Sequence, residues 1–218
     1  MHIPDGFLDP LWCIITYIAA GTYFGVALRK TGRNMIGADR LSLLTVIAAG
    51  IFVAQMLNWP IPGGTSLHFV GGALAGILLG PVWGSIAMLL VLVVQCLIFH
   101  DGGITALGAN LVNMAIIDVW VGYLIYRYIT RVMGYNRRNV FIAGLLGGWM
   151  GIFAAGVACG IEIGLSPQTP YGLMITLPVM GISHFLLGII EGLITGLVLI
   201  YIYDRSPEML LMGGVHGE

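Results

Sequence analysis

Charge is scarce in this chain. Nine Lys or Arg and ten Asp or Glu occur among 218 residues, so 9% of positions are charged, against about 25% in a typical soluble domain. A soluble globular protein is therefore excluded. Cysteine is scarce as well: Cys13, Cys96 and Cys159 each fall within an apolar segment and show no pairing pattern. That excludes a disulfide framework and a thiolate metal site, and the three read as small apolar residues. No G-x-x-x-x-G-K-S/T phosphate loop is present, so ATP hydrolysis by that device is ruled out. No internal repeat is evident, which argues against inverted-repeat folds. What is abundant is apolar, at 58% of the chain, together with 33 glycines.

Apolar runs of 18 or more residues recur along the chain, each long enough to cross a hydrocarbon core of about 30 Å as a helix. All nine basic residues fall in three places: Arg29, Lys30, Arg33 and Arg40; Arg127, Arg131, Arg137 and Arg138; and Arg205 alone. The positive-inside rule puts those regions in the cytoplasm and the N-terminus outside. An even number of crossings must then separate the first two clusters. The predicted spans are residues 10–28, 41–59, 68–79, 82–99, 105–126, 140–165 and 181–203, with Gly80-Pro81 breaking the third from the fourth. The stretch 68–79 is shorter than a usual crossing, so a re-entrant or tilted segment also fits. The fold class is thus all-α, a polytopic membrane protein of about seven helices. It is expected to form a single transmembrane domain over 1–218, with an outer segment 1–9, a bundle 10–205 and a cytoplasmic tail 206–218. Glycines recur at four-residue spacing, as in Gly72/76/80, Gly156/160/164 and Gly188/192/196. Such rows let helices approach closely, chiefly within the bundle.

The opening Met1-His2-Ile3-Pro4-Asp5-Gly6 has no basic n-region or cleavable apolar stretch before it, so it is expected to be the mature terminus rather than a signal peptide. The bulky His2 should protect Met1 from removal. An α-amine, the His2 backbone nitrogen and the His2 Nδ1 then form a tridentate nitrogen chelator with a five- and a six-membered ring. That set suits Ni(II) or Cu(II) in a plane and suits tetrahedral Zn(II) poorly. A fourth nitrogen is needed, and His68 is the best candidate, following Gly63-Gly64-Thr65-Ser66-Leu67 and opening a helix. Pro4 and Gly6 would turn the segment back towards the bundle.

Other polar residues carry two readings each. His2, His68, His100 and His184 fall at or near the outer face on this topology, with Asp5, Asp9 and Asp101; His216 lies in the tail. His100-Asp101 reads either as a carboxylate orienting an imidazole or as a plain loop pair. Asp118, Glu162 and Glu191 sit within apolar helices, where an ionisable group is functional by default, although helix-to-helix hydrogen bonding is the alternative. Gly181-Ile182-Ser183-His184 superficially resembles a nucleophile turn, which raises an intramembrane hydrolase. Adjacent helical residues point about 100° apart, so Ser183 and His184 cannot act as nucleophile and base to one another. A metal-gated channel or sensor is a further rival.

Met1-His2-Ile3-Pro4-Asp5-Gly6-Phe7-Leu8-Asp9, Gly63-Gly64-Thr65-Ser66-Leu67-His68, and His100-Asp101-Gly102-Gly103-Ile104-Thr105-Ala106-Leu107-Gly108-Ala109-Asn110 through Asn113-Met114 together resemble a known family. It comprises the nickel/cobalt substrate-binding (S) components of energy-coupling factor transporters, the CbiM/NikM family. The resemblance covers essentially the whole chain. It implies a six-helix core with one added N-terminal helix, an outer N-terminus threaded into the bundle, and metal held by Met1, His2 and His68. Asn110 and Asn113 would hold the N-terminal segment by hydrogen bonds, and His100, Asp101 and Asp5 would support the site. The implied cargo is Ni(II) or Co(II); Pro4-Asp5 and Leu8-Asp9 look more like nickel members. The resemblance also implies a membrane coupling (T) subunit, cytoplasmic ATPase subunits and an additional small membrane subunit as partners, in the plasma membrane of a prokaryote. No enzymatic role for the chain and no nucleic-acid partner are expected. The sliding contact for the coupling subunit would be a glycine-rich face, either Gly21 and Gly25 in the first span or one of the later glycine rows.

Overall fold

The computed structural model describes residues 1–31 and 37–212; Arg33 and the tail from residue 213, with His216, lie outside the described residues. In order, the helices are α1 (Pro10–Thr31), α2 (Ala38–Gln55), α3 (Gly72–Leu79), α4 (Pro81–Ile98), α5 (Leu107–Asn110), a π-helical stretch (Leu111–Ile117), α6 (Asp118–Met133), α7 (Arg137–Leu165), α8 (Leu173–Arg205) and α9 (Pro207–Met212). A two-stranded antiparallel hairpin, β1 (Trp59–Pro60) and β2 (Ser66–Leu67), pairs Trp59 with Leu67 and Pro60 with Ser66. The chain is an all-α polytopic membrane protein. Five helices among the described residues are long and apolar enough to cross a bilayer: α1, α4, the continuous stretch Leu107–Met133, α7 and α8. Their outward faces carry a coat of large apolar side chains, among them Leu11, Ile18, Leu97, Leu124 and Ile190.

Several boundaries differ from the sequence-based expectation, among them the end of α2 at Gln55 rather than residue 59 and that of α6 at Met133 rather than 126. The last helix begins at Leu173 rather than near residue 181 and runs through Pro178. Helix α3 begins at Gly72, so His68 does not open a helix but lies in irregular chain ahead of it. At eight residues, α3 rises only about 12 Å, well short of a bilayer. Residues 66–71 extend the path of α3, and His68 and Val70 are fully buried. Irregular backbone is tolerated at that depth only inside protein and only with its polar groups paired.

Two carboxylates do the pairing. Glu191 of α8 accepts the N–H groups of Val70 (2.8 Å) and Gly71 (2.7 Å), and Asp118 accepts that of Gly72 (2.9 Å). The side chain of Gln55 donates to the Val70 carbonyl at 2.6 Å. Those of Gly71 and Gly72 are among the N–H groups that a helix start leaves without partners. Asp118 and Glu191 are thus anchors for the segment carrying His68. Gly71 supplies the turn, with φ +78°.

The α3–α4 corner follows from Gly80, at φ +80°, ahead of Pro81 as the first helical residue. A Cβ on Gly84 would stand 2.7 Å from the Gly76 backbone, so the two helices touch there without side chains. The rows Gly156/160/164 and Gly188/192/196 line the α7–α8 seam; a Cβ on Gly160, for example, would lie 3.1 Å from Leu177 Cα. Those rows are internal packing. Gly21 and Gly25 differ, since nothing lies within 4 Å of a Cβ built on either. The two larger core clusters among the described residues centre on Met1, Ile3, Met114, Cys159 and Met180 and on Ile77, Tyr126, Val140 and Leu199; a small third one holds Leu44, Leu79 and Ala87. α3 connects the two, since Ala75 belongs to the first and Ile77 to the second.

Candidate metal centre

Residues 1–3 are buried in the bundle, and the chain returns to the surface at Asp5 and Gly6. Met1 and Ile3 are fully buried and His2 is 5% exposed. The segment is gripped along its backbone. Asn110 Oδ1 accepts the Ile3 N–H at 2.8 Å, its Nδ2 donates to the Ile3 carbonyl at 3.1 Å, and the Gly103 N–H donates to the same carbonyl at 2.9 Å. Asp5 Oδ1 accepts from the Thr105 N–H (2.7 Å) and hydroxyl (2.6 Å). Gly6 turns the chain with φ +84°, and Asp9 accepts the Trp12 N–H at 3.0 Å to start α1. Of the two asparagines singled out from sequence, Asn110 holds the segment, while Asn113 donates to Glu162 at 2.6 Å.

Gly103 makes this docking feasible, because a Cβ there would stand 2.7 Å from the Pro4 carbonyl carbon and closer still to the Asp5 nitrogen. Gly103→Ala is expected to undock residues 1–5. Acylation of the α-amine by a water-soluble reagent should then run at least about tenfold faster than in the parent protein, as reaction follows local opening.

At the inner end of the segment the Met1 amine donates to the Ser66 carbonyl and, at 2.6 Å, to Ser66 Oγ, which also accepts the His2 N–H at 3.1 Å. One hydroxyl thus bridges the two nitrogens of the five-membered chelate ring. Burial pushes the amine down to about 5, opposed by Cys159 and Asp101. A neutral amine has two hydrogens and one lone pair, so with both hydrogens on Ser66 its lone pair is free for a Lewis acid.

The His2 ring stacks on that of His68, with centroids 4.5 Å apart and planes at 22°. Gln95 Oε1 lies 3.2 Å from His2 Nε2 and so fixes the proton there, leaving Nδ1 as a buried lone pair without a hydrogen bond. Burial, then the neighbouring amine, push this imidazole down to about 3. His68 is fixed in the opposite sense: its Nδ1 donates to the Phe69 carbonyl at 2.7 Å and Nε2 is the orphan. Each ring therefore presents the nitrogen that a metal needs, oriented through the other one. His184 shows the same pattern, Nδ1 on the Met180 carbonyl at 2.7 Å and Nε2 without a partner.

Among the described residues no group of three or more His, Cys, Asp or Glu side chains is placed to hold an ion. A nitrogen site here must draw on the amine and main chain as well as on imidazoles. The structure brings Met1, His2, His68 and Asp101 together, with Asp101 Oδ1 3.5 Å from His2 Nδ1. His100, at φ +55°, lines the neighbouring cavity. Ser66 and Gln95 are the residues sequence reasoning passed over. Gln95 carried a signal, a lone amide in the apolar helix α4; Ser66 lay inside a quoted motif without a role.

The sequence model of a cobalt uptake substrate-specific transmembrane region matches residues 2–209. A putative fused nickel transport protein of Archaeoglobus fulgidus is 53% identical over 218 residues, covering all of this chain and 70% of that protein. A cobalt transport protein of Clostridium tetani is 30% identical over 225 residues, covering 99% of this chain and 90% of that one. The crystal structure of a truncated transition metal transporter superposes with a TM-score of 0.88 at 39% identity, covering 94% of this chain and 99% of the other.

Proposed function

Since the chain belongs to the CbiM family, described as the cobalt uptake substrate-specific transmembrane region, and is a nickel or cobalt transport protein of the membrane rather than an enzyme, we propose that it captures Ni(II) from outside the cell in a planar four-nitrogen site. The donors are the Met1 amine, the deprotonated His2 amide, His2 Nδ1 and His68 Nε2. The observation that carries this reading is the buried amine beside two imidazoles that each keep one ring nitrogen unpartnered. Four nitrogens in a plane give d⁸ Ni(II) the strong field that offsets the cost of ionising an amide. The relative at 53% identity bears a nickel name and the one at 30% a cobalt name, which supports the same order. Co(II) is the second reading, favoured by the family's own description.

Energy would come from partners: a membrane coupling subunit and cytoplasmic ATPase subunits, with an additional small membrane subunit. The basic clusters support an outer N-terminus and an inner C-terminus, in the plasma membrane of a prokaryote. Gly21 and Gly25, open on α1, are the face offered to the coupling subunit. Asn110 and Asp5 support the site by holding residues 1–5, and His100 and Asp101 line the cavity beside it.

Metal analysis and optical spectroscopy of the purified protein test the reading. One nickel per chain is expected, yellow and diamagnetic; a green paramagnetic complex would overturn it. With the amine near 5 and His2 near 3, both are already proton-free at pH 7. Binding there should release one proton, that of the amide, and affinity should fall about tenfold per pH unit on acidification. Below about 5 the amine takes up its own proton and the decline should steepen. An affinity that is flat between pH 7 and 5 would contradict an amidate donor.

A further inference from the structure

We propose that Asp101 is the first ligand of the incoming hydrated cation, a carboxylate capture point on the outer side of the nitrogen site from which the ion passes to His2. The inference deepens the site reading above and rests on it.

A cavity of about 500 Å³ lies against the site, lined in part by His2, Asn58, Ser66, His100 and Asp101. His2 is almost entirely buried and its unpartnered Nδ1 is the atom that faces Asp101, at 3.5 Å from Oδ1. The carboxylate is therefore not on the ring nitrogen that needs orienting; Gln95 already holds that one. It stands instead on the side from which a metal must reach Nδ1.

The carboxylate is also held ready. Asn58 Nδ2 donates to Oδ1 at 3.2 Å and to Oδ2 at 3.4 Å, and the Asp101 N–H is tied to the Gln95 carbonyl at 3.0 Å. The side chain remains 19% exposed, against 3% for that of His2, so it touches both the cavity and the buried donor. Ahead of it His100 takes a left-handed backbone conformation, φ +55°, which among non-glycine residues Asn, Asp and His adopt most readily. Oxygen donors bind aquated divalent ions readily, and nitrogen donors then displace the remaining water in the enclosed site. An anion beside the entrance raises the local concentration of cations and so acts on the association rate.

Stopped-flow mixing of the full chain with aqueous nickel(II) chloride, read by the absorbance of the planar complex, tests the assignment. Asp101→Asn is close to isosteric and keeps a partner for Asn58. It is expected to slow association about tenfold at low ionic strength and to flatten the salt dependence seen in the parent protein. Dissociation should change by less than about twofold, and the final spectrum should not change. Asp101→Glu should recover most of the lost rate. Parent-like association, or a loss that appears only in dissociation together with a changed spectrum, would overturn the capture role; the second result would make Asp101 a ligand of the final complex. If instead the nitrogen site itself is misassigned, the unmutated protein fails to give the planar complex, which separates the two failures.

Discussion

One residue added ahead of Met1 is expected to lower nickel affinity by at least about a thousandfold, roughly 4 kcal/mol of binding free energy. The reasoning is local. Extension turns the terminal amine into an amide, which removes the strongest neutral donor and changes the size of the first chelate ring. It also has nowhere to go, since Met1 is fully buried and its nitrogen is in hydrogen-bond contact with Ser66. Acetylation of the α-amine should act in the same direction without lengthening the chain by a full residue. Competition against a chelator of known affinity measures the loss, and thermal unfolding of the bundle serves as the control. Helices α1 to α8 pack mainly on one another, so the melting temperature should move by only a few degrees. Extension also places the histidine third in the chain, where a new amine and two amide nitrogens could chelate, so the acetylated protein decides: binding within about threefold of the parent would remove the amine from the ligand set.

His68→Ala is expected to weaken nickel binding by about a hundredfold or more and to shift the absorption band to longer wavelength, as a weaker oxygen donor replaces the fourth nitrogen. The substitution also leaves a cavity, because His68 is fully buried, and a cavity of that kind costs about 2–3 kcal/mol. His68→Gln separates the two effects. It refills most of the volume and can still donate to the Phe69 carbonyl, yet offers no imidazole lone pair. Lost affinity with restored thermal stability in His68→Gln assigns the effect to ligation. Full nickel affinity in both variants would remove His68 from the site.

The supporting shell predicts smaller effects for a definite reason. Gln95, Ser66 and Asn110 each set the direction of a donor or of the segment bearing it, and such partners typically change affinity by about 10–100-fold. Glu191 and Asp118 act one step further away. They hold the N–H groups of Val70, Gly71 and Gly72, and so fix the chain immediately after His68. The ionisable residues in apolar helices admitted a functional and a structural reading from sequence. For these two the structure shows a capping contact to the backbone of another segment.

The class of protein was readable in the sequence, and the proposed chelating end could be picked out there, because both depend on short-range chemistry. Scarce charge and long apolar runs force a bilayer environment wherever the helices end up, and an amine, an amide nitrogen and an imidazole on two consecutive residues are close by covalent geometry alone. The break at Gly80-Pro81 was legible for the same reason, as a backbone preference. The packed bundle decided everything that joins distant parts of the chain. It placed Ser66 under the Met1 amine, Gln95 behind His2 and Asp101 before it, and it left residues 68–71 irregular, with Glu191 and Asp118 accepting the N–H groups of Val70, Gly71 and Gly72. A stretch that looks like a short helix from residue 68 unwinds there until Gly72, because buried carboxylates on α6 and α8 satisfy its backbone as well as helical turns would.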